Sequence, residues 1–170
     1  MKVLVPLDGS PTAAAVLPAV QRLIELIPGT EIHLLTVLDP RQTHGSGDHE
    51  VSAERPSAAG SRGPVLLDPL PRIVESHGEA MERVDREAQE ALTAVALGPL
   101  AGASTVNHVK WSRNAAEQIV AVAAEVDADA IAMATHGHSG ISHLLAGSVT
   151  DAVIRTAGRP VIVVGPRSAS

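Results

Sequence analysis

The sequence predicts a single α/β domain, built on a parallel sheet with helices covering both faces. Three observations carry that expectation. Short apolar runs alternate with helically spaced segments about five times, the pattern that a doubly wound sheet produces. At 170 residues the chain is long enough for one core between helical layers. Its 45% hydrophobic content is almost wholly Ala, Val, Leu and Ile, with no Phe or Tyr and one Trp, which suits buried parallel strands.

The elements follow in order. Lys2 to Leu7 (K-V-L-V-P-L) is an apolar run halted by Asp8-Gly9, a buried strand ending in a turn. Ser10 and Pro11 then supply an N-cap and a first helical residue. Leu17, Val20, Ile24 and Ile27 recur at helical spacing until Gly29, while Pro18 predicts a kink or a late start because it removes a helix hydrogen bond. Ile32 to Leu38 is the second strand. From Arg41 to Gly78 the chain is rich in Gly, Ser, Pro, His and charge, with one apolar cluster around Val65 to Leu70. A connection of that length reads as a lid, a binding loop or a flexible insert.

Regular structure resumes with a helix over about Glu79 to Leu97, stopped by Gly98-Pro99. Thr105 to Trp111 is a third strand of mixed polarity, hence an edge, with Trp111 as packing. Asn114 and Glu117 form a capping box for a helix running to about Val126. Ala130 to Ala134 is a small apolar strand expected near the centre of the sheet. Ser148 and Asp151 are a second capping box, opening a helix that closes at Gly158. Val161 to Val164 is the last strand, expected at an edge. Right-handed crossovers leave a flavodoxin-like or related doubly wound topology. In such sheets ligands sit beyond the carboxyl ends of the strands. Asp8, Asp39 and the run from Thr135 are therefore the places to look.

Composition narrows the function. A net charge of −6 gives nothing to steer a polyanion, and the near absence of aromatics removes the usual stacking platform, so nucleic acid is not an expected partner. There is no Cys, which excludes disulfides, thiol catalysis and thiolate metal sites and suits a cytoplasmic location. No signal-peptide pattern opens the chain and no apolar run reaches membrane-spanning length, so no membrane association is expected.

The run from Met133, M-A-T-H-G-H-S-G-I-S-H-L-L-A-G-S-V-T, leaves a strand, passes Gly137, Gly140 and Gly147, and opens a helix at Ser148. Glycines let a backbone approach a ligand, and a helix N-terminus attracts anions. Ser148 and Thr150 add hydroxyl donors. On spacing alone, an anion cradle and a simple turn with a capped helix both stand.

These residues resemble the nucleotide-binding signature of the universal stress protein family, G-x2-G-x9-G-[ST]. Gly137, nine residues, Gly147 and Ser148 match its second half. The opening V-L-V-P-L-D-G-S, the T-V-L-D after the second strand and the closing R-P-V-I-V-V are also similar to the family. The likeness spans the chain except the insert at 41–78. It implies a five-stranded parallel sheet (flavodoxin-like or adenine nucleotide alpha hydrolase-like) and, in the nucleotide-binding branch, ATP with Mg²⁺ held through the phosphates. It implies that Pro6, Asp8 and Val37 line the adenosine, and that Met133, Ala134, His136, Gly137, Gly147, Ser148, Val149 and Thr150 form the phosphate segment. One position departs: the signature's first Gly is Ala134 here, whose Cβ disfavours positive φ and takes space beside a ligand.

The chain has no G-x4-G-K-[ST], and its only lysines are Lys2 and Lys110. Phosphates would be held by backbone N–H groups and hydroxyls, and Arg155 lies about two turns down its helix. A holder or slow switch is expected rather than a fast ATPase. Two alternatives stand beside it, a family member acting only through protein contacts and a slow ATPase or phosphotransferase. Asp8 could bond a ribose or a metal-bound water, or form an Asx turn with Gly9-Ser10. His136 could donate to a phosphate, while His138 and His143 read as loop residues. His44, Asp48 and His49 match no standard metal spacing. Neither Ser139 nor Ser142 sits in a nucleophile elbow. Unpaired backbone groups on an edge strand Val161–Val164 would be covered by a second copy, which predicts a homodimer.

Overall fold

A computed structural model describes residues 1–42, 76–135 and 149–165. Five parallel strands form one sheet: β1 (Lys2–Pro6), β2 (Glu31–Leu38), β3 (Ser104–Trp111), β4 (Ala130–Ala134) and β5 (Val161–Val164). Their order is β3-β2-β1-β4-β5. The chain steps outward from β1 to β3, then returns to the other side of β1 for β4, so the order reverses between β1 and β4. This order differs from the flavodoxin order 2-1-3-4-5 yet keeps the doubly wound plan. Both predicted edges, β3 and β5, are edges, and β4 is interior.

Alternation along the strands splits the core in two. Val3, Val5, Ile32 and Leu34 pack on one face with residues of α1 (Pro11–Ala14), α2 (Leu17–Leu26) and α3 (His77–Leu97). Leu4, Leu35, Ile131 and Met133 pack on the other, against α4 (Ala115–Glu125) and α5 (Val149–Thr156). Leu4, Ile32, Leu34, Leu35 and Ile131 are all wholly buried. Burying such a side chain stabilises the fold by about 1.5–3 kcal/mol.

Local chemistry explains the helix ends. Ser10 accepts from the Ala13 amide at 3.0 Å, with Pro11 next in the first turn. Pro18 does break the segment, because α1 ends at Ala14 and α2 restarts at Leu17 with Pro18 in its first turn. Helix α3 begins two residues before its predicted start, since Ser76 and Glu79 make a reciprocal capping box. At α4 the box expected of Asn114 and Glu117 is only half made. The Asn114 side chain accepts from the Glu117 amide at 3.3 Å, whereas the Asn114 amide donates to Ser112 Oγ at 3.1 Å. A nearer hydroxyl has displaced the carboxylate. A 3₁₀ turn at Pro40–Gln42, not expected from the sequence, follows β2. Most of the 41–78 insert, and Ser148 of the second capping box, lie outside the described residues.

Arg159 and Lys2 tie down the far end of α4. The Arg159 guanidinium donates to the Ala123 carbonyl at 2.8 Å and also to that of Ala128, and Lys2 Nζ donates to Val126 O at 3.1 Å. Orphan carbonyls at a helix C-terminus thereby gain cationic donors. The Lys2 amide donates to Asp129 at 2.6 Å, joining the start of β1 to the turn before β4.

Candidate functional site

The carboxyl ends of the strands open into three cavities that meet at Asp8. The first, about 320 Å³, lies where strand order reverses, between the ends of β1 and β4 and the first turns of α4 and α5. The second, about 480 Å³ and mostly apolar, lies across the sheet between β2 and α3. The third, about 400 Å³ and more polar, continues from the first past Val37 to Asp39, Ser112 and Arg113. Asp8 lines all three.

The first cavity gathers residues far apart in sequence: Pro6 and Asp8 after β1, Val37 on β2, Met133 and Ala134 on β4, Val149 and Thr150 on α5. These are seven of the eleven positions singled out from the sequence. His136, Gly137, Gly147 and Ser148 lie outside the described residues, as do His44, Asp48 and His49. Ala115 and Ile119 of α4 complete a largely apolar wall. They were not expected from the sequence, although a position just after β3 was the available signal.

The backbone of Val37 gives this cavity polarity. Leu35 accepts from the Leu7 amide at 2.8 Å, so its peptide groups face β1, while Leu38 accepts from Ser112 on the β3 side at 2.9 Å. With a period of two, the Val37 amide and carbonyl face the β1 side. There β1 has already turned away: Ser10 N donates to Asp8 Oδ1 at 2.9 Å and Gly9 has φ 78°, a left-handed turn that favours glycine. The Thr36 hydroxyl donates to the Leu7 carbonyl at 3.0 Å. Among the described residues no backbone partner takes the Val37 amide or carbonyl, which leaves a donor and an acceptor side by side at the cavity wall.

Two other positions differ from expectation. Thr150 is buried and its hydroxyl donates to the Ala134 carbonyl at 3.2 Å, so it ties α5 to β4 instead of offering that proton to a ligand. Ala134 sits in regular strand paired with Val164, and its φ is not positive. The backbone objection to alanine at this position is therefore removed, and only the volume of its Cβ remains. The Asx turn weighed for Asp8 is present, and it is this turn that holds Asp8 at the junction of the cavities.

The charges nearby are largely paired. Arg41 grips Asp39 through its Nε and Nη2 at 2.6–3.1 Å and through its own amide at 2.9 Å. The side-chain hydrogen bonds from Arg41 come first in holding the Asp39 carboxyl down at about 2. Arg155 donates to Asp151 at 2.9 Å, one turn back on α5. Among the described residues no group of three or more side chains could hold a metal ion, and no helix is long and apolar enough to cross a membrane.

Comparison with known proteins bears on the family and the fold. Residues 64–165 match the model of the universal stress protein family. The chain is 28% identical over 166 residues to universal stress protein MJ0577 of Methanocaldococcus jannaschii, spanning 96% of this chain and 93% of that one. A solved structure of MJ0577 aligns with a TM-score of 0.66 at 25% identity, covering 99% of this chain and 97% of that chain. The universal stress protein of Archaeoglobus fulgidus in complex with dAMP aligns at 0.54 with 22% identity, covering 96% of each chain. Another universal stress protein, in complex with cAMP, aligns at 0.55 with 21% identity over 97% of this chain and 96% of that one. At those identities the last two speak for the shared fold.

Proposed function

We propose that this chain, which belongs to the universal stress protein family, holds ATP in the cavity between β1 and β4 and acts as a nucleotide-dependent regulator. The observation that carries the reading is the Val37 edge: an amide donor and a carbonyl acceptor, unclaimed by the sheet, set in an apolar slot. That pairing complements the ring nitrogen and exocyclic amine of adenine. Pro6 and Asp8 would flank the nucleoside. Ala134, Val149 and the signature positions Gly137, Gly147 and Ser148 would face the phosphates near the start of α5. Related proteins solved with dAMP and cAMP support an adenine nucleotide as the ligand class.

Holding is favoured over hydrolysis. Arg155, the cation on α5, is engaged by Asp151, and no lysine lines the cavity. A Mg²⁺ ion would arrive with the phosphates. The reading as a pure interaction protein rested on Ala134, and its ordinary strand backbone weakens that argument. The family and the absence of Cys fit a cytoplasmic protein.

Calorimetry of the purified chain with ATP and Mg²⁺ tests the ligand. Saturable one-site heat is expected, and none at millimolar ATP would reject the nucleotide. We also propose a homodimer through β5, an edge strand with Val163 exposed and Val149 and Ile154 exposed on adjoining α5. Val163→Lys is expected to convert a dimer to a monomer in sedimentation; a wild-type monomer at tens of micromolar would refute the pairing.

A further inference from the structure

A pair of histidines far from the cavities has no part in the function above. His33 on β2 is buried, 5% exposed, and stacks on His108 of β3 with ring centroids 5.2 Å apart and planes inclined by 17°. His33 Nδ1 lies 2.9 Å from His108 Nε2. The other ring nitrogen of His33, Nε2, is 2.9 Å from Glu31 Oε1 but not aligned for a hydrogen bond.

Both rings lie on the α4 face of the sheet. His33 has the parity of Leu35 and Val37, which pack in that core, and Val109 beside His108 packs on the opposite one. The charged groups around the pair are Glu31 on β2, Lys110 on β3, Glu125 on α4 and Lys2 on β1. Lys110 bonds Glu125 at 3.3 Å, linking β3 to α4, and Lys2 reaches the end of α4.

Facing nitrogens 2.9 Å apart have room for one proton. One ring donates and the other accepts, and this stays true when a first proton is added. A second added proton puts two N–H groups head to head. We propose that the His33–His108 pair is an acid-released latch, which fastens edge strand β3, and with it the end of α4 that Lys110 bonds through Glu125, while the facing nitrogens share one proton and loosens them when both are protonated. Burial, first, then His33 and Lys110, lower the proton affinity of His108, and Glu125 opposes them. Its folded pKa thus falls below the unfolded value near 6.5. The latch's stability is fully present above that unfolded value and is lost as pH falls from there through the lower folded one. The first two turns of α4 wall the cavity through Ala115 and Ile119, so release would slacken one side of it.

Thermal melts of the full chain between pH 7.5 and 5.5 test the latch, using wild type, His108→Gln and His33→Gln. The wild type is expected to lose about 2–4 °C more across that range than either variant. Amide exchange, corrected for its intrinsic pH dependence, should rise at pH 5.5 in β3 and α4 ahead of β1 and β4. An equal acid slope in all three proteins, or protection lost evenly across the sheet, would overturn the proposal.

Discussion

The two ends of the sheet are built to opposite specifications. At the amino ends of the strands, polar groups are consumed by the chain itself: Arg159 and Lys2 serve the last carbonyls of α4, and the Lys2 amide is bound by Asp129. At the carboxyl ends, β1 leaves the sheet early at Asp8 and the Val37 edge stays unpaired over a cavity. Both ends derive from one sheet, so the difference lies in where each strand stops. An end whose backbone groups are all matched contributes stability. An end that leaves one donor and one acceptor in an apolar slot gives up part of that stability and gains a place for a ligand.

Arg159 offers the largest way to test this division. Replacing it with Met keeps much of the stem but removes every donor, leaving the Ala123 and Ala128 carbonyls short of their cationic partner. Hydrogen bonds to charged groups stabilise by about 1.5–3 kcal/mol. Arg159→Met is therefore expected to lower stability by about 2–3 kcal/mol in denaturant titration, with ATP affinity held within about twofold. If affinity fell in step with stability, the two ends would not be independent and the comparison would break.

Much of the fold was legible in the sequence because its signals are local. Ser10-Pro11, the breaks at Gly29 and Gly98, and the apolar runs of β1, β2 and β4 all act within a few residues. Strand order was not, since seating β1 between β2 and β4 depends on contacts between separate segments, Lys2 against Glu31 on one side and Val3 against the distant Ala130 on the other. The His33–His108 pair was invisible for the same reason. His33 reads as one polar residue in a strand until the register sets Leu35 against His108. At the cavity, glycine spacing alone left a turn and an anion cradle equally open. The family resemblance selected eleven residues, of which seven line one space, while the Thr150 hydroxyl, read from the loop as a ligand donor, bonds the Ala134 carbonyl.

Ala134 sharpens the other half of the comparison with a smaller effect. Its carbonyl is held by Thr150 and its strand pairing by Val164, so its backbone is fixed, and its side chain lines the cavity. A larger side chain should cost little in folding, because the added atoms can extend into open space, yet should compete directly with a ligand. Ala134→Leu is expected to weaken ATP binding by about tenfold, which is the 1–3 kcal/mol range for overpacking a fitted space. Its melting temperature should stay within about 2 °C of wild type. Ala134→Gly removes the Cβ without new contacts, so affinity should hold or rise. The ordering Gly, Ala, Leu in ATP affinity, measured by calorimetry, would identify the volume at this position as the controlling quantity. An Ala134→Leu protein that bound ATP as tightly as wild type would move the ligand away from the end of β4, and with it the claim that the open end of the sheet is where the nucleotide sits.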